Sequence, residues 1–174
     1  SPNHLYFNRG GRLEERGYST GVAIDDTGRY NGSMGVDAAD FDGTGRPAIF
    51  VTNFQGELSA HYRNLGEERF LHSSRALGLG AFGQQFVGFG CSFLDADHDG
   101  WEDMIVANGH VLHQALFGSP YRQTPLLLRN TKKNEGRVWV DEGRSGGEFF
   151  RKATVGRGLA VGDLDNDGWP DVVV

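Results

Sequence analysis

Asp95, Asp97, Asp99 and Asp103 stand at the first, third, fifth and ninth positions of "DADHDGWED" (95–103). Carboxylates that alternate and then meet a glycine, here Gly100 at the sixth position, suit a tight loop that converges oxygens on one hard cation. Held that close, four carboxylates repel, and without a cation several would protonate or splay apart. The competing reading is a solvated acidic turn, because Asp and Gly are common turn formers. A second stretch, "DLDNDGWPD" (163–171), favours the cation, since Asp163, Asp165, Asp167, Gly168, Trp169 and Asp171 repeat the first set position by position. All-oxygen donors point to Ca2+, and the lack of clustered His or Cys argues against zinc or copper.

In each cage the carbonyl of Trp101 or Trp169, at the seventh position, is expected to join the four carboxylates. A third copy, "DFDGTGRPA" (40–48), keeps Asp40, Asp42 and Gly45 but has Thr44 at the fifth position and Ala48 at the ninth. Asp40, Asp42 and Thr44 are its candidate ligands, and whether this loop holds metal stays open. The loops are not EF-hands. Val106 or Val174 occupies the twelfth position, where an EF-hand has a bidentate glutamate, and the flanks read as strands.

The elements that position these loops repeat with them. Gly35, Gly90 and Gly158 precede the three first aspartates by the same interval. Val36, Cys91 and Leu159, then Ala38, Phe93 and Val161, follow at alternate positions, which is the period of a strand. After the loops come the apolar runs Ile49–Val51, Met104–Val106 and Val172–Val174, and Asn53 and Asn108 share one offset. Asn8, Asn64 and Asn130 mark a further strand, 32, 31 and 33 residues before the next aspartate loop. Each unit reads as four short antiparallel strands, and no segment carries a sustained helical period. Repeats of this length and content predict β-propeller blades of four antiparallel strands, with a stacked solenoid the lesser alternative.

The chain is therefore expected to be all-β and a single repeat domain over 1–174. Residues 1–32 supply the second half of a blade, 33–86 a blade, 87–155 a blade with an insertion near 109–125, and 156–174 the first half of a blade. That is a partial propeller of about three blade equivalents, where closed rings have about 4–8. A fragment of a larger propeller and a homo-oligomer, in which complementary half-blades meet head to tail, are both open.

The 174 residues carry 27 glycines, suiting many tight turns between short strands, and a net charge of −6 that argues against nucleic acid as a partner. No apolar run reaches the roughly 18 residues that a membrane span needs. Cys91 stands alone, so no internal disulfide can form; its place in the repeat is that of a core residue and not of a nucleophile. His110 and His113 fall in the insertion without a carboxylate beside them, favouring loop packing over metal or acid–base work. Trp101 and Trp169 could form a sugar platform, but their shared loop position suits local packing. "NGS" at 31–33 is a glycosylation acceptor in a eukaryotic secretory context and otherwise an ordinary turn. No catalytic constellation stands out, so the chain is expected not to be an enzyme.

Taken together, the acidic loops resemble the FG-GAP or VCBS repeat, the calcium-loop propeller repeat also seen in integrin α-subunit heads. More narrowly, "GRGLAVGDLDNDGWPDVVV" and "VANGHV…YRQTPLLLRN" resemble the propellers of proteins that carry an ASPIC/UnbV domain, a group that includes cartilage acidic protein. The resemblance implies a secreted or envelope-associated protein without a defined catalytic role. Calcium sites of modest affinity fill outside the cytoplasm, which also favours an extracellular or periplasmic location. The expected function is a calcium-stabilised scaffold that binds a protein partner or mediates assembly; a lectin-type propeller that binds a glycan is the alternative.

Overall fold

A computed structural model of the chain describes all residues except Gly83 and residues 114–117. Among the described residues the strands form four antiparallel sheets. β1 (Tyr6–Arg9) and β2 (Arg12–Glu15) make a two-stranded sheet. β3 (Val36–Ala39), β4 (Ala48–Val51), β5 (Ala60–Gly66) and β6 (Arg69–His72) make a four-stranded meander in that order. β7 (Gly88–Leu94), β8 (Asp103–Asn108), β9 (Leu126–Lys133) and β10 (Gly136–Asp141) make a second. β11 (Ala160–Gly162) and β12 (Asp171–Val173) form the last pair. Among the described residues, helix is confined to the single turns α1 (Gly17–Thr20) and α2 (Glu148–Arg151) and a 3-10 turn at Leu79–Ala81. The all-β expectation agrees with this architecture.

Local sequence explains the strand types. β8 is buried along its whole length, which is why "MIVA" reads as a continuous apolar run and does not alternate. In β7, Cys91 and Phe93 face the core as period two predicts. The same positions of β3 differ, because Val36 and Ala38 are exposed. β7 packs between β3 and β11 and is covered on both sides, whereas β3 packs chiefly on β4 and β7.

The two meanders share one aromatic centre. Trp139 of β10 is 2% exposed and lies 4.6 Å from Phe41, 6.0 Å from His61 and Phe50, and 6.2 Å from Phe93, between ring centroids. Burying each of the large apolar rings stabilises the packing of the two sheets by roughly 2–3 kcal/mol. His61 is the polar member of this group; desolvation lowers its pKa from 6.5 to about 3, opposed by the charge of Asp42.

Between sheets, the first strands approach closely. Asp37 of β3 accepts hydrogen bonds from the Phe93 N–H (2.8 Å) and the Ser92 hydroxyl (3.0 Å) of β7. The Thr52 hydroxyl donates to the Phe89 carbonyl at 2.6 Å, and the Gly90 N–H to the Arg157 carbonyl at 2.6 Å. This proximity accounts for two of the three repeated glycines. A Cβ on Gly35 would stand 2.0 Å from the Phe89 carbonyl oxygen, and one on Gly90 would stand 2.7 Å from the Leu159 nitrogen. The paired asparagines serve the same seam. The carbonyls of Asn53 and Asn108 accept from Gly88 and Gly156 at the start of the next unit. Their side-chain amides donate to Leu58 and Thr124 ahead of the third strand.

Two outcomes are expected from this packing. Gly35→Ala loses about 2 kcal/mol of stability, because backbone must move to admit the methyl. Gly158→Ala, at the same repeat position with nothing within 4 Å, stays within about 0.5 kcal/mol of the parent. Urea unfolding of both variants checks this, and equal losses would show that close approach is not the reason for the glycines. The second outcome concerns pH. Folded His61 stays neutral while the unfolded chain takes up a proton below 6.5, so its stability contribution is intact above pH 6.5 and is lost progressively as pH falls toward 3. The stability difference between the parent and His61→Leu should follow that window; a flat difference from pH 7 to pH 4 would contradict it.

Candidate metal centre

Each aspartate loop joins the first and second strands of its sheet. Loop 40–48 links β3 to β4, loop 95–103 links β7 to β8, and loop 163–171 links β11 to β12. All three share one backbone frame. The first aspartate accepts N–H bonds from the fifth and sixth residues on its two oxygens. These are Thr44 (3.0 Å) and Gly45 (2.7 Å) on Asp40, Asp99 (3.0 Å) and Gly100 (2.8 Å) on Asp95, and Asp167 (3.1 Å) and Gly168 (3.0 Å) on Asp163. The sixth residues, Gly45, Gly100 and Gly168, hold φ of 74°, 85° and 91°, where a side chain would be strained. The fourth residues, Gly43, His98 and Asn166, are also left-handed, at 69°, 57° and 61°. His98 is the residue whose type gave no warning of that conformation.

The carboxylates converge differently in the two acidic loops. Asp95, Asp97 and Asp99 each place a ligand oxygen within 4.8 Å of the others, as do Asp163, Asp165 and Asp171. So the loops gather three of their four sequence-predicted carboxylates, and not the same three. Asp167 is outside its cluster; its Oδ1 accepts the Trp169 N–H at 2.8 Å, as Asp99 accepts the Trp101 N–H at 3.0 Å. Asp103 stands apart in its loop for a visible reason. It is 1% exposed, Oδ1 accepts the Asn130 N–H at 2.9 Å, and Oδ2 accepts the Ala96 N–H at 3.2 Å and the Arg129 guanidinium at 2.9 Å. Burial, and after it the charges of Asp99 and Asp95, push its carboxyl up to about 6, against those two backbone N–H bonds. The Arg129 contact favours the anion, so at neutral pH Asp103 is the ionised partner of an ion pair.

Loop 40–48 has only two carboxylates. Asp42 Oδ1 accepts the Thr44 hydroxyl (2.8 Å) and Oδ2 accepts Arg63 Nε (2.7 Å), so hydrogen bonds inside the protein meet both of its oxygens. The hydroxyl and guanidinium bonds hold the Asp42 carboxyl below its usual range although burial pushes the other way.

The repeated asparagines hold the loops from behind. Asn64 donates from its amide to the Pro47 carbonyl at 3.1 Å, and Asn130 donates to the Glu102 carbonyl at 3.1 Å, both at the eighth loop position. Asn130 also reaches across the sheets to the Phe41 carbonyl (2.8 Å), while its oxygen accepts from Arg137 at 2.5 Å. The tryptophans run along the row of loops. A Cβ on Gly43 would touch Trp101 at 3.0 Å, and Trp169 stacks on His98 at 4.1 Å with an interplanar angle of 9°. In both cases the seventh residue of one loop leans on the fourth of the loop before it. Arg137 covers the Trp101 ring at 3.7 Å. The sequence signals that could have found Arg63, Arg129 and Arg137 were weak, since an arginine before or after a strand asparagine carries no metal-site pattern.

Other candidates take structural places. His110 is buried, with Nε2 3.1 Å from Gln55 Oε1 and its Nδ1 accepting the Leu112 N–H. His113 stacks on Tyr121 at 4.1 Å. Within the insertion, Gln123 accepts the Val87 N–H at 2.8 Å, while its residues 114–117 lie outside the described residues. Cys91 is buried in the core and desolvation pushes its thiol up to about 12, which removes it as a nucleophile.

Residues 40–106 match the FG-GAP-like repeat family. That span carries two of the three loops, and it supports the FG-GAP resemblance for the repeat it covers. No curated protein matches the chain. Among the described residues no helix is long and apolar enough to cross a membrane.

The clamp carries a testable consequence. Asn130→Ala frees the Phe41 and Glu102 carbonyls and the Arg137 donor in a buried place, and should cost roughly 2–3 kcal/mol. Asn64→Ala breaks one partly exposed bond of the same kind and should cost about 1 kcal/mol. Equal losses in urea titrations would mean that the contact between sheets contributes nothing.

Proposed function

We propose that the chain is a calcium-stabilised, non-catalytic β-propeller scaffold that acts by binding a protein partner or by assembly, outside the cytoplasm. One observation carries this reading. Three loops share one nested frame, and the two fully acidic ones each converge three carboxylates within 4.8 Å. Such a set suits a hard divalent cation that accepts carboxylate and carbonyl oxygens, and calcium tolerates the irregular geometry of a loop better than magnesium does. The ligands proposed are Asp95, Asp97, Asp99, Asp103 and the Trp101 carbonyl in one loop, and Asp163, Asp165, Asp167, Asp171 and the Trp169 carbonyl in the other. Bound there, the ion would neutralise the mutual repulsion of the carboxylates and tie the first strand of a sheet to the second.

The two four-stranded meanders are the blades of this reading. The match of residues 40–106 to an FG-GAP-like repeat supports a propeller-like interaction scaffold, and repeats of this kind are typical of extracellular proteins. The narrower likeness to propellers of the ASPIC/UnbV group is part of the proposal and rests on the quoted motifs alone. A row of loops and rings along one edge offers a broad surface, as repeat folds do, in place of a deep reactive cleft.

A melting curve with calcium and with excess chelator tests the calcium reading. Occupation of one site at about a hundredfold excess over its dissociation constant adds about 2.7 kcal/mol, so the midpoint should rise clearly. Asp95→Asn with Asp163→Asn should abolish the rise, and coincident curves for the parent would sink the reading. Binding of one sugar at micromolar concentration on a glycan array would replace the protein-scaffold reading with a sugar-binding one.

A further inference from the structure

Arg129 sits on β9 immediately before the clamp Asn130, with 18% of its side chain exposed. Its guanidinium pairs with both Asp97 and Asp103. Arg63 holds the same place before Asn64 on β5 and donates to Asp42. Asp42 and Asp97 are each the third residue of their loop. The fold thus sets one guanidinium against the same carboxylate in two successive units. Asp171 joins its cluster, bound to the Leu164 N–H at 2.8 Å, while Asp103, with the matching bond to Ala96, is held by Arg129 outside its own.

We propose that this third-strand arginine is a built-in counter-cation that competes with the loop's metal. In 95–103 Arg129 shares Asp97 and Asp103 with the ion, and in 40–48 Arg63, with the Thr44 hydroxyl, replaces it. The two loops whose third strand follows them then differ: arginine and metal at 95–103, arginine alone at 40–48. The chemistry is direct. A guanidinium stays charged at every accessible pH and donates in a fixed fork, so it neutralises two carboxylates without a metal. A metal must then displace those charge-assisted bonds or work with fewer oxygens. Loop 95–103 is therefore a calcium site weakened by its own arginine, and it stays ordered when calcium is removed. This inference rests on the calcium reading above.

The experiment is a calorimetric calcium titration of the 174-residue chain carrying Asp165→Asn, which leaves loop 95–103 as the acidic site, with and without Arg129→Met. Removing the arginine should tighten calcium binding about tenfold or more, the worth of one competing charge-assisted hydrogen bond. In chelator the same variant should melt lower than its parent, and saturating calcium should close most of that gap. Unchanged or weaker calcium binding in Arg129→Met would overturn the proposal, because the arginine would then only position Asp97 and Asp103. Should Arg129→Met fail to fold in chelator, Arg129→Lys keeps the charge without the fork and should give a smaller gain; no gain overturns the competition. If Asp165→Asn and the otherwise unaltered chain both take up no calcium, the calcium reading falls and the competition with it. The chelator melts still read the arginine in that case, and equal midpoints would remove its counter-cation role too.

Discussion

The two N–H bonds received by the first carboxylate of each loop are the constraint from which the rest of the molecule extends. Asp40, Asp95 and Asp163 each take the amides of the fifth and sixth residues, which closes the loop around its own first side chain. Closure in that form demands a left-handed sixth residue, hence the glycine, and it brings the second strand back antiparallel to the first. In each acidic loop it also gathers two further carboxylates within 4.8 Å of the first, so the geometry that makes a hairpin makes an anionic pocket as well. The first- and second-strand pairs, the asparagine clamps and the row of tryptophans are all built on loops already shaped this way.

That arrangement creates a conflict between packing and charge. The ninth residue of the loop is also the first residue of the second strand, so Asp103 enters the sheet buried and anionic. A buried carboxylate needs partners, and backbone N–H groups from Ala96 and Asn130 supply part of what it needs. The remainder must come from a cation. In this chain the neighbouring strand offers one through Arg129, and the same strand position offers Arg63 to the loop that has lost two of its carboxylates. Loop 40–48 has no Asp at its fifth and ninth positions, and there Arg63 meets the carboxylate of Asp42.

Contact between sheets depends on small residues and asparagines in place of apolar surface alone. Gly35 and Gly90 let a carbonyl of the next unit come within the space of a methyl, and Asn53 and Asn108 bond both to their own third strand and to the next unit. Trp139 then fills the space between the meanders. Backbone bonds set the distance between units and the aromatic cluster stabilises it, so Gly35 and Gly90 are needed at the seam while the core residues around them differ.

Much of this could be read from the chain before any coordinates. Period two around Cys91 and Phe93, the aspartate spacing and the recurrent Asn8, Asn64 and Asn130 depend only on local geometry, which linear order dictates, and they gave the strand order and the anionic loops. The purpose of the asparagines was not legible, since their partners Pro47, Glu102 and Phe41 lie from 17 to 89 residues away. Nor was the exposure of Val36, which follows from the neighbours of β3 and not from its own pattern. Above all, the sequence determined which carboxylates could meet, and tertiary structure alone decided which do. Asp103 belongs to the same motif as Asp95, Asp97 and Asp99, but Arg129 from a different strand holds it apart from them. Electrostatic interaction depends on distance in space, and the strand that sets that distance is remote in sequence.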